Sequence, residues 1–378
     1  MRSSVRGNAN SVQHVAVAPV LARCAGAALL LLACGCTTIG YFGQAAVGQF
    51  DLWRRQQPLA ATLARADLPA QLRSKLQLVV AARAFAQTHL ALADDGSYHS
   101  YVDLGRDYVV WNVFAAPALA LTPLKSCFLL IGCVEYRGFF HQAQAQAYAA
   151  DLQRQGYDTF VGGVAAYSTL GWLDDPILSS VLRWDDVRIA ETLFHELAHH
   201  RLYIADDATF NESFAMAVAR IGVDLWLADD TARRIARAGE LARERAFIGL
   251  LLEFRGQLAV AFAAPVPAAE RRANKDRLYD ELRSSYAALK ASWGGAADYD
   301  AWMARDLNNA KLVSLATYHA DVEAFVAVLK RRCDSDFPRF YALIRRLAAL
   351  APAARAQCLA ALAVDSEPSA PHCAALLR

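Results

Sequence analysis

A mainly helical α+β fold is what this sequence predicts, and three observations lead there. Ala and Leu are abundant, and long stretches place apolar residues at helical spacing. The β-branched and aromatic runs that read as strands are confined to the first half of the chain. From Asp185 onward the pattern is helical, broken only near 205–210, 228–230, 264–268, 294–298 and 333–337. With 378 residues, 20% of them charged and a net charge of +2, the chain can bury one large core. The same balance excludes a nucleic-acid-binding surface and an acidic disordered tail.

The first residues follow a different logic. Residues 1–23 are polar to mixed and carry Arg2, Arg6 and Arg23, and an apolar run from Cys24 to Ala33 follows, closed by Cys34-Gly35-Cys36. That run is short of the about 20 apolar residues a bilayer core requires. It suits the apolar region of an export signal. Small residues before a cysteine, then Thr37-Thr38, resemble the processing box of bacterial lipoproteins, with Cys36 the lipidated residue and Cys34 the competitor. The expected organisation is a signal over 1–36, a catalytic domain over 37–364 and a loose tail over 365–378. The expected location is the periplasm-facing cell envelope, at the outer membrane, because Thr37 is not an acidic residue of the kind that would retain the chain at the inner one. Export makes the cysteines candidates for bridging. Cys127 and Cys133 flank a five-residue apolar segment and form the first pair, with Cys358 and Cys373 as a second.

Along the folded part, residues 40–57 read as an amphipathic helix ended by Pro58. Residues 68–93 read as a second helix with Leu72, Leu76, Val79, Val80 and Ala84 at helical spacing. Asp94-Asp95-Gly96-Ser97 supplies a turn. Between Tyr98 and Val134, the runs beginning at Tyr108 and Phe128 predict a small sheet punctuated by Pro117 and Pro123. A helix returns over 139–155, and Thr159 to Tyr167 reads as a strand containing Gly162 and Gly163.

Residues 186–204 carry the chemistry. No Pro or Gly interrupts them, and Ile189, Leu193, Leu197 and Leu202 form an apolar stripe. Within them stands His195-Glu196-Leu197-Ala198-His199. On a helix His195 and His199 project from one face about one turn apart, as two nitrogen ligands of one zinc ion require. Glu196, about 100° around the helix, can reach a water at the metal without ligating it, which is the position of a general base. The bland alternative is two solvent-facing histidines on an ordinary helix. It fits poorly here, because the helix is otherwise apolar and the whole chain has only 9 histidines. His200 lies off that face, as a supporting or surface residue.

A catalytic zinc site needs a third protein ligand. A third His six residues beyond the second, preceded by Gly at three, is excluded by Leu202 and Ala205. Asp206 and Asp207 remain candidates. Glu212 in Asn211-Glu212-Ser213-Phe214-Ala215 is the better one, since Glu212, Ala215, Ala219 and Gly222 share a face whose small side chains allow close approach to the first helix. Its structural alternative is a carboxylate favoured by the helix macrodipole. Asp185 or Asp186 is placed to cap the histidine helix.

The pairing of His-Glu-Leu-Ala-His with a following Asn-Glu-Ser-Phe-Ala resembles the gluzincin metallopeptidases, whose aminopeptidase branch carries Asn-Glu-Gly-Phe-Ala. More closely, the chain is similar to a family of bacterial lipoproteins classed as aminopeptidases. That likeness rests on Tyr41 to Gln49, Cys133 to Phe140, Ala166 to Pro176, the two metal motifs and Asn308-Asn309-Ala310-Lys311-Leu312. It implies a zincin-like metallopeptidase domain holding Zn²⁺ on His195, His199 and Glu212, with Glu196 activating water. In many gluzincins a downstream tyrosine stabilises the oxyanion, a role that falls to Tyr318, with Tyr136 beside Arg137, and Tyr203, as competitors. Tyr167 and Thr169 are candidates for lining the substrate cleft. The glutamate strand that holds a free amine in well-understood aminopeptidases has no counterpart here before Asp174 and Asp175.

The expectation is a zinc peptidase, an aminopeptidase by resemblance, acting on peptides in the envelope and tethered to the membrane by its N-terminal lipid. Two alternatives stand beside it: a zinc amidase or esterase of other envelope substrates, and a non-catalytic scaffold whose zinc ties two helices together.

Overall fold

The computed structural model describes residues 40–128, 132–166, 168–169, 173–305, 307–319, 321–364 and 370–377. Cys36 and Tyr167 lie outside them. The chain divides into two compact units, Met1–Asp51 and Leu52–Arg378. In the first, residues 40–51 are helical.

The second unit is mainly helical, with three small sheets among the described residues, in keeping with the mainly helical α+β expectation. Strand β1 (Gln57–Pro58) leads into helices α1 (Leu59–Ala64) and α2 (Ala70–His89). Leu76, Val79, Ala82 and Ala86 form the fully buried face of α2 at spacings of three and four. Strands β2 (Ser100–Val102), β3 (Val110–Pro117), β4 (Ser126–Phe128), β5 (Gly132–Val134) and β6 (Arg137–Phe139) precede α3 (Gln142–Arg154). Then come β7 (Tyr157–Val164) and β8 (Ile177–Leu178). The main sheet runs β6-β3-β7, antiparallel throughout, with Val110 opposite Val164 and Pro117 opposite Tyr157. In the second sheet, β2 pairs antiparallel with β1 and parallel with β8. β4 and β5 form a separate ladder in which Cys127 faces Cys133, and the two are joined by a disulfide.

Beyond the strands lie α4 (Asp186–Arg201), α5 (Ala208–Trp226), α6 (Thr231–Ala263), α7 (Ala268–Ser292), α8 (Asp300–Met303), α9 (Asn309–His319), α10 (Val322–Arg332), α11 (Phe337–Ala348), α12 (Pro352–Ala363) and α13 (Pro371–Ala374). The predicted breaks fall between these helices. The main core gathers α2, α4, α5, α10, α11 and α12 around Phe194, Phe214, Phe325, Phe340 and Tyr341. Each such buried aromatic or aliphatic side chain contributes roughly 1.5–3 kcal/mol by leaving water. The tail differs from expectation. It is not loose over 371–377: Pro371–Ala374 is helical, Leu376 is buried, and Cys373 is tied to Cys358 by a disulfide. The covalent bond and the apolar contact together hold a segment whose polar approach reads as a linker.

Helix α6 is long and apolar enough to cross a membrane by length and composition. In this fold it packs along α7 over a second core containing Phe247, Leu251, Phe254, Leu258, Tyr279 and Leu282. The Asn308-Asn309-Ala310-Lys311-Leu312 stretch fastens this helical part to the main sheet. Asn309 is fully buried. Its Nδ2 lies 3.0–3.1 Å from the carbonyls of Pro117, Ala118 and Ala120, and its Oδ1 accepts from the Tyr279 hydroxyl at 2.8 Å. Asn308 Nδ2 donates to the Thr159 carbonyl at 2.9 Å, and the Lys311 ammonium caps the carbonyls of Trp302 and Arg305. Replacing Asn309 by Ala should therefore lower stability by about 2–4 kcal/mol, because several partners are left unsatisfied in the core. The check is a urea melt, in which the midpoint falls and the slope is unchanged.

Candidate functional site

The site is built where α4 and α5 cross. Asp185 caps α4, its carboxylate accepting from the Arg188 amide at 2.9 Å. Ile189, Leu193, Phe194 and Leu197 bury one side of the helix. Helix α5 approaches closely because its facing residues are small. A Cβ at Gly222 would come within 2.9 Å of Phe194 Cδ2 and 2.7 Å of Leu90 Cδ1, so only glycine fits.

The turn between the helices is held by side chains of the second motif. Asn211 Oδ1 accepts from the Ile204 amide at 2.9 Å, and its Nδ2 donates to the Ile204 carbonyl at 2.7 Å. Ser213 Oγ accepts from the Asp321 amide at 3.3 Å, tying α5 to the start of α10. Asp207 caps α5 through the Phe210 amide at 3.1 Å and pairs with Arg355 at 2.7 Å. Asp206, at φ +66°, accepts from the Cys133 amide at 2.6 Å. Both aspartates are thus committed to the turn and do not join the histidines. The structure corrects their candidacy as ligands.

Three predicted donors do converge. His195 Nε2 and His199 Nε2 are 3.1 Å apart, and Glu212 Oε2 lies 3.3 Å from the first and 3.6 Å from the second. The side chains are 14%, 6% and 17% exposed, so the cluster is nearly dry. Burial alone would raise the Glu212 carboxyl, but the His199 and His195 imidazoles beside it hold it well below the usual carboxylate range. Burial likewise opposes charge on His195, and the Glu212 hydrogen bond overrides it, leaving the imidazole above its ordinary value. Ligand atoms about 2.0–2.1 Å from a tetrahedral ion are separated by about 3.3–3.4 Å, so the spacing of these three atoms suits a divalent cation. Both Nδ1 atoms are buried and make no hydrogen bond among the described residues. The rings are therefore oriented by packing and by the helix.

His200 proves to be internal, with its side chain 3% exposed. Its Nδ1 lies 2.7 Å from Asp95 Oδ2 and its Nε2 3.0 Å from Ser168 Oγ. Asp175 accepts from the Thr169 amide at 2.7 Å and from Ser168 Oγ at 3.2 Å, while the Tyr98 amide donates to the Asp175 carbonyl at 2.6 Å. The order Ser–His–Asp has the look of a nucleophile relay. However, the Asp175 carboxylate beside Ser168 would repel an oxyanion, and it also takes the Thr169 amide that could otherwise donate to one. The group acts as a latch that ties Asp95 on one side, and Ser168 with Asp175 on the other, to His200 of α4.

Thr169 belongs to this latch. Its hydroxyl bonds the Leu173 backbone at both amide and carbonyl, so it is spent on loop shape. Tyr318 stands on the last turn of α9, and its side chain is outside the described atoms. Tyr136 packs against Phe114 at 5.5 Å between ring centroids, and Arg137 lies over Tyr148. Among these candidates Tyr203 is the one that feels the cluster: burial, then the charges of Glu212 and Asp206, push its phenol up. Sequence reasoning missed Asp95, Tyr98 and Ser168. The first read as part of a turn, and nothing local in the sequence marks the other two.

Asp175 supplies a pH test. Burial raises its carboxyl to about 6 against the hydrogen bonds that favour its charge. The folded protein therefore holds a proton there that the unfolded chain has released, and stability falls as pH rises from about 4 to about 6. The loss is at most about 3 kcal/mol, at 1.36 kcal/mol for each of roughly two pH units. Asp175→Asn should remove that part of the slope, seen as a flatter dependence of the urea midpoint between pH 4 and 7.

The sequence model of a family described as "Putative aminopeptidase" matches residues 40–359. No curated protein and no solved structure matches the chain. The match takes in the whole histidine helix, the Asn-Glu-Ser-Phe-Ala helix and the Asn309 staple, and on that span the chain belongs to this aminopeptidase family.

Proposed function

We propose that the chain is a zinc-dependent peptidase, with His195, His199 and Glu212 holding the ion and Glu196 serving as general base. The observation that carries this reading is the convergence of three donor atoms within 3.1–3.6 Å of one another on two packed helices. A zinc ion in that cradle would lower the pKa of a water toward neutrality and polarise a scissile carbonyl. Glu196, next to His195 on α4 and about 100° around the helix, takes the proton of the attacking water and passes it to the departing amine. Glu212, held as a carboxylate by its two imidazole neighbours, remains a ligand and does not compete for that proton. Residues just beyond β7 run against α4, with Ala166 and Glu196 lining the same cavity and Ser168 on His200. A peptide laid along that side would present its carbonyl near Glu196. The zincin-like class of the fold is part of this proposal.

The aminopeptidase activity rests on the family name. The Asp175 carboxylate, buried and committed to Thr169 and Ser168, offers nothing to a substrate's free amine. We also propose export and lipid anchoring through Cys36, which would present the site on the periplasmic side of the envelope.

Purified protein should carry about one zinc per chain, and His195→Ala, His199→Ala and Glu212→Ala should each lose it. Glu196→Gln should keep the zinc and lose roughly 10²–10⁴ in kcat on short peptides. A Glu196→Gln protein of full activity would sink the assignment of the base. Leucyl-p-nitroanilide and its N-acetylated form separate the modes. Equal cleavage of both rules out an aminopeptidase, and cleavage of simple esters with neither peptide cut favours an esterase.

A further inference from the structure

We propose that Tyr98 is a positioning residue for Glu196: through one water in the small cavity both residues line, its buried hydroxyl donates toward the Glu196 carboxylate and fixes which carboxylate oxygen faces the attacking water. The inference rests on Glu196 being the base.

Tyr98 is 4% exposed, and its hydroxyl is fully buried with no hydrogen-bond partner among the described residues. A phenol in that state needs an acceptor. The cavity it lines has a volume of about 10 Å³, close to the least that admits one water. Its walls are otherwise largely apolar, from Ala166, Pro176, Ile177, Leu178 and Val181. Glu196 is the only carboxylate among the lining residues, and a single water in the cavity can bridge it to the hydroxyl. Burial and the charge on Glu196 both push the phenol well above its ordinary range, so it stays protonated and can donate.

The backbone supports the same conclusion. Tyr98 has φ +61°, a left-handed conformation that aromatic residues rarely adopt and that persists only where the surroundings over-determine it. Here they do. Its amide donates to the Asp175 carbonyl at 2.6 Å, its carbonyl accepts from Arg83 at 3.1 Å, and its ring stacks on His200 with centroids 6.4 Å apart. The His200 latch thus fixes the bearing of the Tyr98 hydroxyl beside the helix that carries Glu196. A strained residue that lines the same small cavity as the base is what a device for holding that base requires.

Tyr98→Phe keeps the ring and its stack and removes only the hydroxyl. It should lower kcat roughly tenfold, the equivalent of one lost hydrogen bond, with KM within about twofold and zinc content unchanged. In a Glu196→Gln background the same substitution should cost nothing further, since residues acting through one another are non-additive. A second readout does not use activity. In chelated, metal-free protein Tyr98→Phe should lower Tm by about 2 °C, and by nothing in a Glu196→Ala background. A Tyr98→Phe enzyme within twofold of wild-type kcat, or equal Tm losses in both backgrounds, overturns the proposal. Full activity of Glu196→Gln alone would instead overturn the underlying role of the base and the positioning role with it. The melting cycle would still report whether the two side chains are coupled.

Discussion

The close approach of α4 and α5 is the constraint on which the rest of this structure depends. Two imidazoles and a carboxylate from different helices can come within 3.6 Å only if the helix surfaces between them are small. Gly222 against Phe194 supplies that, since a Cβ there would meet the Phe194 ring at 2.9 Å and something would have to shift. The Asn211 clamp on Ile204 then closes the connecting turn, so that the register of Glu212 against His195 is set by hydrogen bonds to the backbone. The surrounding helices α2, α10 and α11 bury the outer faces of this pair and make the crossing rigid.

The electrostatics follow from that geometry. A buried carboxylate between two imidazoles is stable as an anion because the imidazoles compensate it, and His195 is held above its ordinary value by the same contact. A divalent cation held there, as proposed, would compete with the proton for one set of lone pairs, since ligands must be deprotonated to bind. Around the cluster, Asp95 on one side and Ser168 with Asp175 on the other are tied to His200 of α4 without entering the cluster itself.

Much of this was legible in the sequence, and the parts that were not have physical reasons. The histidine pair and Glu212 could be read because helical spacing converts sequence separation into a shared face. The second helix, the strand over 157–164 and the breaks in the helical half could be read for the same reason, as periodicity and turn residues are local. The latch could not. Asp95, Ser168 and His200 come from three separate segments, and no local rule brings residue 95 to residue 200. Asp206 and Asp207 misled for the converse reason, since nearness in sequence to His199 made them look like ligands when their work is in the turn. In the tail the Cys358–Cys373 pair could be read, but the helix over Pro371–Ala374 and the burial of Leu376 depend on the core against which they pack, which no local pattern shows.

The β4–β5 ladder bears on this centre from outside it. The Cys133 amide is bound by Asp206, and Gly132, at φ +75°, lies so close that a methyl group there would meet Asp206 Oδ1 at 2.6 Å. An isolated ladder of three residue pairs is marginal in water. The Cys127–Cys133 bond is what turns it into a firm buttress against the turn that spaces the two helices. The alignment of the three donor atoms thus leans, through Asp206 and its turn, on a two-stranded ladder that one covalent bond holds in register.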